Sequence, residues 1–189
     1  HLFLFLCYSN YRHTLIKRKE EINMNNKERF IQIYKQYINR PGSDKLLDFL
    51  LSKNSDFFEA PASTRYHLNY EGGLVEHSLN VYKYCMKLVD HHKLDIDKDK
   101  VALAGLLHDY AKFYSMEEYE QLVLEYNVDT YLLSCHKKIL HSILGRYAVQ
   151  KDFGIDDEEV LSAIEYHTTG KKEMTDLQKV QLEMLKEFI

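Results

Sequence analysis

The stretch ALAGLLHDYAK, Ala102 to Lys112, sets the reading of the whole chain. It opens as a helix that is apolar nearly all round, the pattern of a helix with neighbours on every side. His108 and Asp109 then interrupt it. Burying an ionised aspartate among leucines costs roughly several kcal/mol unless something neutralises it, and a metal ion does that. Adjacent residues on a helix diverge by about 100°, so this pair reaches one ion together only near a helix end, or bridges toward two ions. Taken alone, the pair also fits a hydrogen-bonded helix terminus.

Outward from this stretch the apolar residues keep helical time. Phe30, Ile31, Tyr34, Tyr37 and Ile38 form one stripe between Lys27 and Ile38, and Pro41 with Gly42 closes it. Ser43 is placed to cap the next helix, which carries Leu46, Leu47, Leu50 and Leu51. After a polar loop over 54–73, Val75, Leu79, Tyr82, Met86 and Val89 line one face of a third helix between Leu74 and His91. Asp97 or Asp99 can cap the fourth, expected from Val101 to Tyr110. Ser115 with Glu118 is a capping box for a short fifth helix. A sixth spans Lys137 to Asp152 and is closed by Gly154. Asp156 with Glu159 and Thr175 with Gln178 open two more. No stretch alternates at period two long enough for a strand, and no internal repeat is visible in the sequence. The expected fold is all-α, a bundle of roughly seven helices in one domain over 24–189.

Composition narrows the function classes. With 45% hydrophobic residues, 29% charged and 2 prolines among 189 residues, a packed core is expected. A formal charge of −4 offers no broad basic surface, so long nucleic acid gripped through its phosphates is disfavoured. The run Leu2 to Cys7 is far below the roughly 20 apolar residues of a membrane span. Cys7, Cys85 and Cys135 show no metal-like spacing, in keeping with a reducing, cytoplasmic setting. Residues 1–23 lack periodicity, and Arg18 to Asn23 can be encoded by a purine-rich, ribosome-binding-like string just before the Met24 codon. They are expected to be a translated leader or a mobile tail.

Three further histidines give His108 and Asp109 their context. His77 follows the Gly72–Gly73 entry of the third helix, His141 stands in ILHSIL, and His167 ends a helix just before Thr168, Thr169 and Gly170. A lone histidine is more often a satisfied core residue than a ligand. Four of them, each near one end of a separate apolar helix, make a metal-binding constellation. Imidazole with carboxylate suits iron, manganese, zinc or nickel, whereas magnesium prefers an oxygen-rich site. His91, His92 and His136 lie in charged surroundings and are expected at the surface.

From Asp95 to Lys179 the chain resembles the HD-domain phosphohydrolases, and within them the YqeK-type symmetrical dinucleoside-tetraphosphate hydrolases. The matching pieces are ALAGLLHDYAK, LLSCHKKILHSILGRYAVQKDFGIDDEEVLSAIEYHTTG at Leu132 to Gly170, and the Met174–Thr175 that follow. From Met24 to Tyr84, with APASTRYHLNYEGGLVEHSLNVY at Ala60 to Tyr82, it is similar instead to small HD-domain proteins of phages and bacteria. The resemblance implies an HD-domain helical bundle and metal ligands at His77, His108, Asp109, His141 and His167, with Asp109 bridging two metals. Iron or manganese is then expected first, zinc or nickel second. It implies metal-dependent hydrolysis of a nucleotide, with His108, Asp109 and Lys112 at the reacting centre. Lys112, Arg65, His67, Thr168, Thr169 and Gly170 are placed to contact its phosphates or sugar. The expected partners are a nucleotide substrate and a second copy of the chain.

One position departs from that family pattern. Where the YqeK-type branch carries a last aspartate ligand, this chain has Leu185, with Glu183 and Glu187 two residues to either side, about 200° around a helix. The chain also ends at Ile189, short of the family's length. A metal and nucleotide binding module without turnover is therefore the alternative expectation.

Overall fold

In the computed structural model, residues 24–63, 68–130, 133, 137–169 and 175–180 are described. Among them there is no strand, and the main elements are α1 (Asn26–Tyr37), α2 (Ser43–Leu51), α3 (Gly73–His92), α4 (Lys98–Leu107), the 3-10 turn Tyr110–Phe113, α5 (Met116–Glu125), α6 (Lys137–Lys151) and α7 (Glu158–Tyr166). A further helical stretch runs over 176–180. None of these helices is long and apolar enough to cross a membrane. The proposed leader, Cys7, Cys135, His136, Arg65, His67, Gly170 and Leu185 lie outside the described residues.

Two helical hairpins make the frame of the site. In each, α3 with α4 and α6 with α7, the start of one helix lies against the end of the next, and α4 also packs on α7. Gly105 lets the first hairpin close, since a Cβ there would stand 2.8 Å from the Tyr82 Cα on α3. The main core gathers Phe30, Tyr34, Leu46, Leu50, Leu103, Leu106, Leu144 and Ile164 around these hairpins. Each such side chain contributes about 1.5–3 kcal/mol of transfer free energy by leaving water. The helix α3 is buried on two sides rather than one. Val81, Cys85 and Val89 form a second cluster with Val101, Ala104 and Ala163, covered by Leu177 and Val180 of the 176–180 stretch. There Gln178 Nε2 donates to Ser162 Oγ at 2.8 Å, tying that stretch to α7.

The caps show where local signals suffice. Ser115 and Glu118 make both bonds of a capping box, as do Thr175 and Gln178. Gly154 ends α6 with a positive φ of 73°, its N–H donating to the Gln150 carbonyl. Several boundaries differ from expectation, the start of α4 at Lys98 rather than Val101 among them. Ser43 is the first residue of α2 and donates to the Arg40 carbonyl; the cap is Gly42, at φ 85°, pressed so closely on the Phe153 carbonyl that a Cβ would lie 1.8 Å from it. Asp157, not Asp156, caps α7, accepting from the Glu159 and Val160 N–H groups, while Asp156 accepts from Gln150. Most consequentially, α4 stops at Leu107, not Tyr110. His108 is its C-cap, and Asp109, at φ −107° and ψ 10°, starts the 3-10 turn.

Candidate metal centre

The early end of α4 turns an adjacent His–Asp pair into two convergent side chains. His108 keeps helical dihedrals, so its ring folds back and Nδ1–H donates to the Gly105 carbonyl at 3.0 Å. Asp109, the residue that caps the start of the 3-10 turn, points between the two hairpins. His167 repeats the device as the C-cap of α7, its Nδ1–H donating to the Ile164 carbonyl at 2.6 Å. His77 and His141 come from the other helix of each hairpin, each the fifth residue of its own, α3 and α6. The same layout therefore occurs twice, and all five side chains are buried.

Asp109 sits between the two copies and gives one carboxylate oxygen to each. Oδ2 lies 3.2 Å from His77 Nε2 and 3.3 Å from His108 Nε2, and the two nitrogens are 3.1 Å apart. Oδ1 lies 3.0 Å from His141 Nε2 and 3.1 Å from His167 Nε2, and those nitrogens are again 3.1 Å apart. Each set is a group of three donor atoms able to hold a metal ion. A spacing of about 3 Å is that of ligands at right angles around an octahedral ion with bonds of about 2.1 Å.

The proton inventory supports the same fit. A carbonyl can be satisfied only by a donor, so the Nδ1 atoms of His108 and His167 carry the ring protons and their Nε2 atoms present lone pairs. Those lone pairs face other imidazole nitrogens and the oxygens of an acceptor-only carboxylate. Protonating the rings is no remedy, because burial pushes His108 down from its ordinary 6.5 to about 4, overcoming the raising effect of Asp109. Burial lowers His141 as well. For Asp109, burial pushes the carboxyl up, but the Lys112 ammonium and the surrounding histidines outweigh it and hold the group well below its ordinary value. A cluster of four imidazoles around one buried carboxylate, with the Nε2 lone pairs of His108 and His167 turned inward, is suited to divalent cations.

The remaining candidates divide. Lys112, one turn on from Asp109, donates to Asp109 Oδ2 at 2.6 Å and reaches toward the Ala62 carbonyl at 3.5 Å, with its side chain 31% exposed. The sequence offered a phosphate-facing lysine; the structure shows its ammonium on the carboxylate itself. Thr168 is half-buried, its hydroxyl 3.5 Å from that of Ser142, and Thr169 is exposed just beyond His167. His91 and His92 are exposed, as expected. Gly105 went unremarked in the sequence, although a glycine three residues before His108 in an otherwise apolar helix was the available signal.

A family model described as HD domain matches residues 74–186, well over half of the chain and all five clustered residues. The chain belongs to the HD domain family. A Staphylococcus aureus protein named bis(5'-nucleosyl)-tetraphosphatase, symmetrical, is 41% identical over 104 residues, covering 55% of this chain and 53% of its own length. A Bacillus subtilis protein of the same name is 36% identical over 104 residues, covering 55% of each. The chain thus spans about half the length of these curated relatives. Among solved structures, a predicted HD superfamily hydrolase involved in NAD metabolism from Clostridium acetobutylicum matches with a TM-score of 0.54 and 30% identity. That match covers 75% of this chain and 66% of the other.

Proposed function

We propose that this HD domain hydrolyses a phosphoanhydride or phosphoester of a nucleotide at a pair of divalent cations, iron or manganese before zinc or nickel. Dinucleoside tetraphosphates are the leading substrates. The observation that carries this reading is the sharing of one buried carboxylate between two three-atom donor sets. The relatives named symmetrical tetraphosphatases supply the substrate class.

Divalent cations held there supply Lewis acidity to a phosphoryl group and bring the pKa of water toward neutrality. The rest is the work of the chain. Asp109 keeps one oxygen toward each donor set, fixing their separation through a single side chain. The Gly105 and Ile164 carbonyls lock the tautomers of His108 and His167, so their Nε2 lone pairs stay aimed at the site without reorganisation. Lys112 is a partly solvent-exposed cation bonded to the central carboxylate, placed to attract an anionic phosphate. Thr168 and Thr169 offer hydroxyls at the end of α7 for phosphate or sugar. For a dinucleoside tetraphosphate, water adds across the central P–O–P linkage, and the bridging oxygen leaves with one of two nucleoside diphosphates.

The test is a panel of diadenosine tetraphosphate, nucleoside tri- and monophosphates and a cyclic nucleotide, incubated with the protein and Mn²⁺ or Fe²⁺ and read by chromatography. Two ADP per diadenosine tetraphosphate are expected. Uptake of metal and nucleotide with no turnover of any member refutes the enzymatic reading in favour of the binding module.

A further inference from the structure

The two halves of the centre have the same ligand types and layout, but one extra charge separates them. Lys112 Nζ donates to Asp109 Oδ2 at 2.6 Å, on the side of His77 and His108. Among the described residues no lysine or arginine pairs with Oδ1, which faces His141 and His167. A cation entering beside Oδ2 must compete with an ammonium already bonded there; one entering beside Oδ1 meets, among the described residues, His141, His167 and the carboxylate, with Lys112 acting on that side only from farther away. Lys112 belongs to the 3-10 turn that begins right after Asp109, so the backbone holds the lysine three residues from the carboxylate it competes for.

Resting on the metal-centre reading above, we propose that Lys112 makes the two cation positions unequal: the Asp109–His141–His167 position fills first, and the His77–His108 position fills only when a second cation displaces the Lys112 ammonium from Oδ2. Two cations sharing one carboxylate repel each other and so bind in unequal steps anyway. Lys112 therefore reveals itself in the ratio of the two steps and in which position is the weak one. A charge-assisted hydrogen bond is worth about 1.5–3 kcal/mol, which corresponds to roughly tenfold to hundredfold in a binding constant. Lys112 is a positioning residue in this scheme, because it acts on the cation through Asp109. Once displaced, its ammonium is released toward solvent, where an anionic phosphate can take it up.

The test is calorimetric titration of the full chain with Mn²⁺, without substrate, on wild type, Lys112→Met, Lys112→Arg, His77→Ala and His167→Ala. Wild type is expected to show two steps, the weaker lost in His77→Ala and the tighter lost in His167→Ala. Lys112→Met is expected to tighten the weaker step by roughly tenfold to hundredfold and the tighter step by less, while Lys112→Arg keeps the wild-type ratio. A ratio that Lys112→Met leaves unchanged, or a tighter step assigned to His77, overturns this inference alone. No Mn²⁺ uptake by folded wild type overturns the metal-centre reading together with it.

Discussion

Gly105→Ala changes one hydrogen into a methyl group, yet the structure places heavy demands on that space. The new Cβ would lie 2.8 Å from the Tyr82 Cα, 3.1 Å from its nitrogen and 3.2 Å from its Cβ. Two of these contacts are backbone, so relief comes only from moving α4 away from α3 by about 1 Å toward ordinary van der Waals separation. Overpacking of this kind costs about 1–3 kcal/mol, while exchanging glycine for alanine inside a helix returns about 1 kcal/mol. A net loss of up to about 2 kcal/mol follows, which for a chain of this size lowers the melting temperature by up to roughly 8 °C. The same movement separates His77 from His108, whose Nε2 atoms are 3.1 Å apart, and leaves His141 and His167 undisturbed. Thermal melts and metal analysis after Mn²⁺ loading therefore test one claim in two ways: lower stability, and loss of the Oδ2-side ion with the Oδ1-side ion retained. A variant that melts higher, as helix propensity alone dictates, and keeps its full metal complement refutes the close helix contact as the element that sets the site.

Asp109→Asn keeps the shape but weakens both donor sets at once, so Mn²⁺ uptake and nucleotide hydrolysis should both fall by at least roughly a hundredfold; retention of either at wild-type level shows that Asp109 is not shared between ions. The metal-free protein should lose stability as the pH falls from 6.5 to about 4, because His108 is depressed in the folded state and the unfolded chain takes up the proton first. His108 alone accounts for about 3 kcal/mol across that window, with Asp109 adding to the loss as the pH continues down through and below the ordinary carboxylate range. Denaturant midpoints that are equal at pH 7.5 and pH 4.5 contradict this. Leu185 lies outside the described residues, and the family resemblance implies a carboxylate ligand there. Leu185→Asp is thus expected to raise Mn²⁺ stoichiometry and turnover, and a folded variant that gains neither shows that the alignment of this position with the family is wrong.

The helices and the five clustered residues were readable in the sequence because both rest on local signals: a 3.6-residue apolar period, capping pairs, and polar groups interrupting buried faces. What escaped was decided by distant partners. Tyr110, Ala111 and Lys112 are compatible with a continuing helix, so the stop at Leu107 left no local mark; it accompanies the His108 bond to Gly105 and the packing of the 3-10 turn on α6. Ser43 had the right chemistry for a cap, but the Phe153 backbone presses on Gly42, and the glycine took the role. Asp156 and Asp157 are both capping residues by type, and Gln150 on the neighbouring helix engages the first. The doubled hairpin leaves no sequence repeat, because the layout needs a histidine early in one helix and another just past the end of the next, with few constraints on the residues between. Lys112 was visible as a nearby cation, whereas its choice of Oδ2 depends on the turn geometry.

The central claim is that one carboxylate is shared by two cation positions, and anomalous diffraction from crystals grown with Mn²⁺ and collected at the manganese absorption edge tests it most directly. Two anomalous peaks are expected to flank the Asp109 carboxylate, one contacted by Oδ2, His77 and His108 and the other by Oδ1, His141 and His167. Peaks elsewhere, or none between these five side chains in a protein shown in solution to bind Mn²⁺, would contradict it.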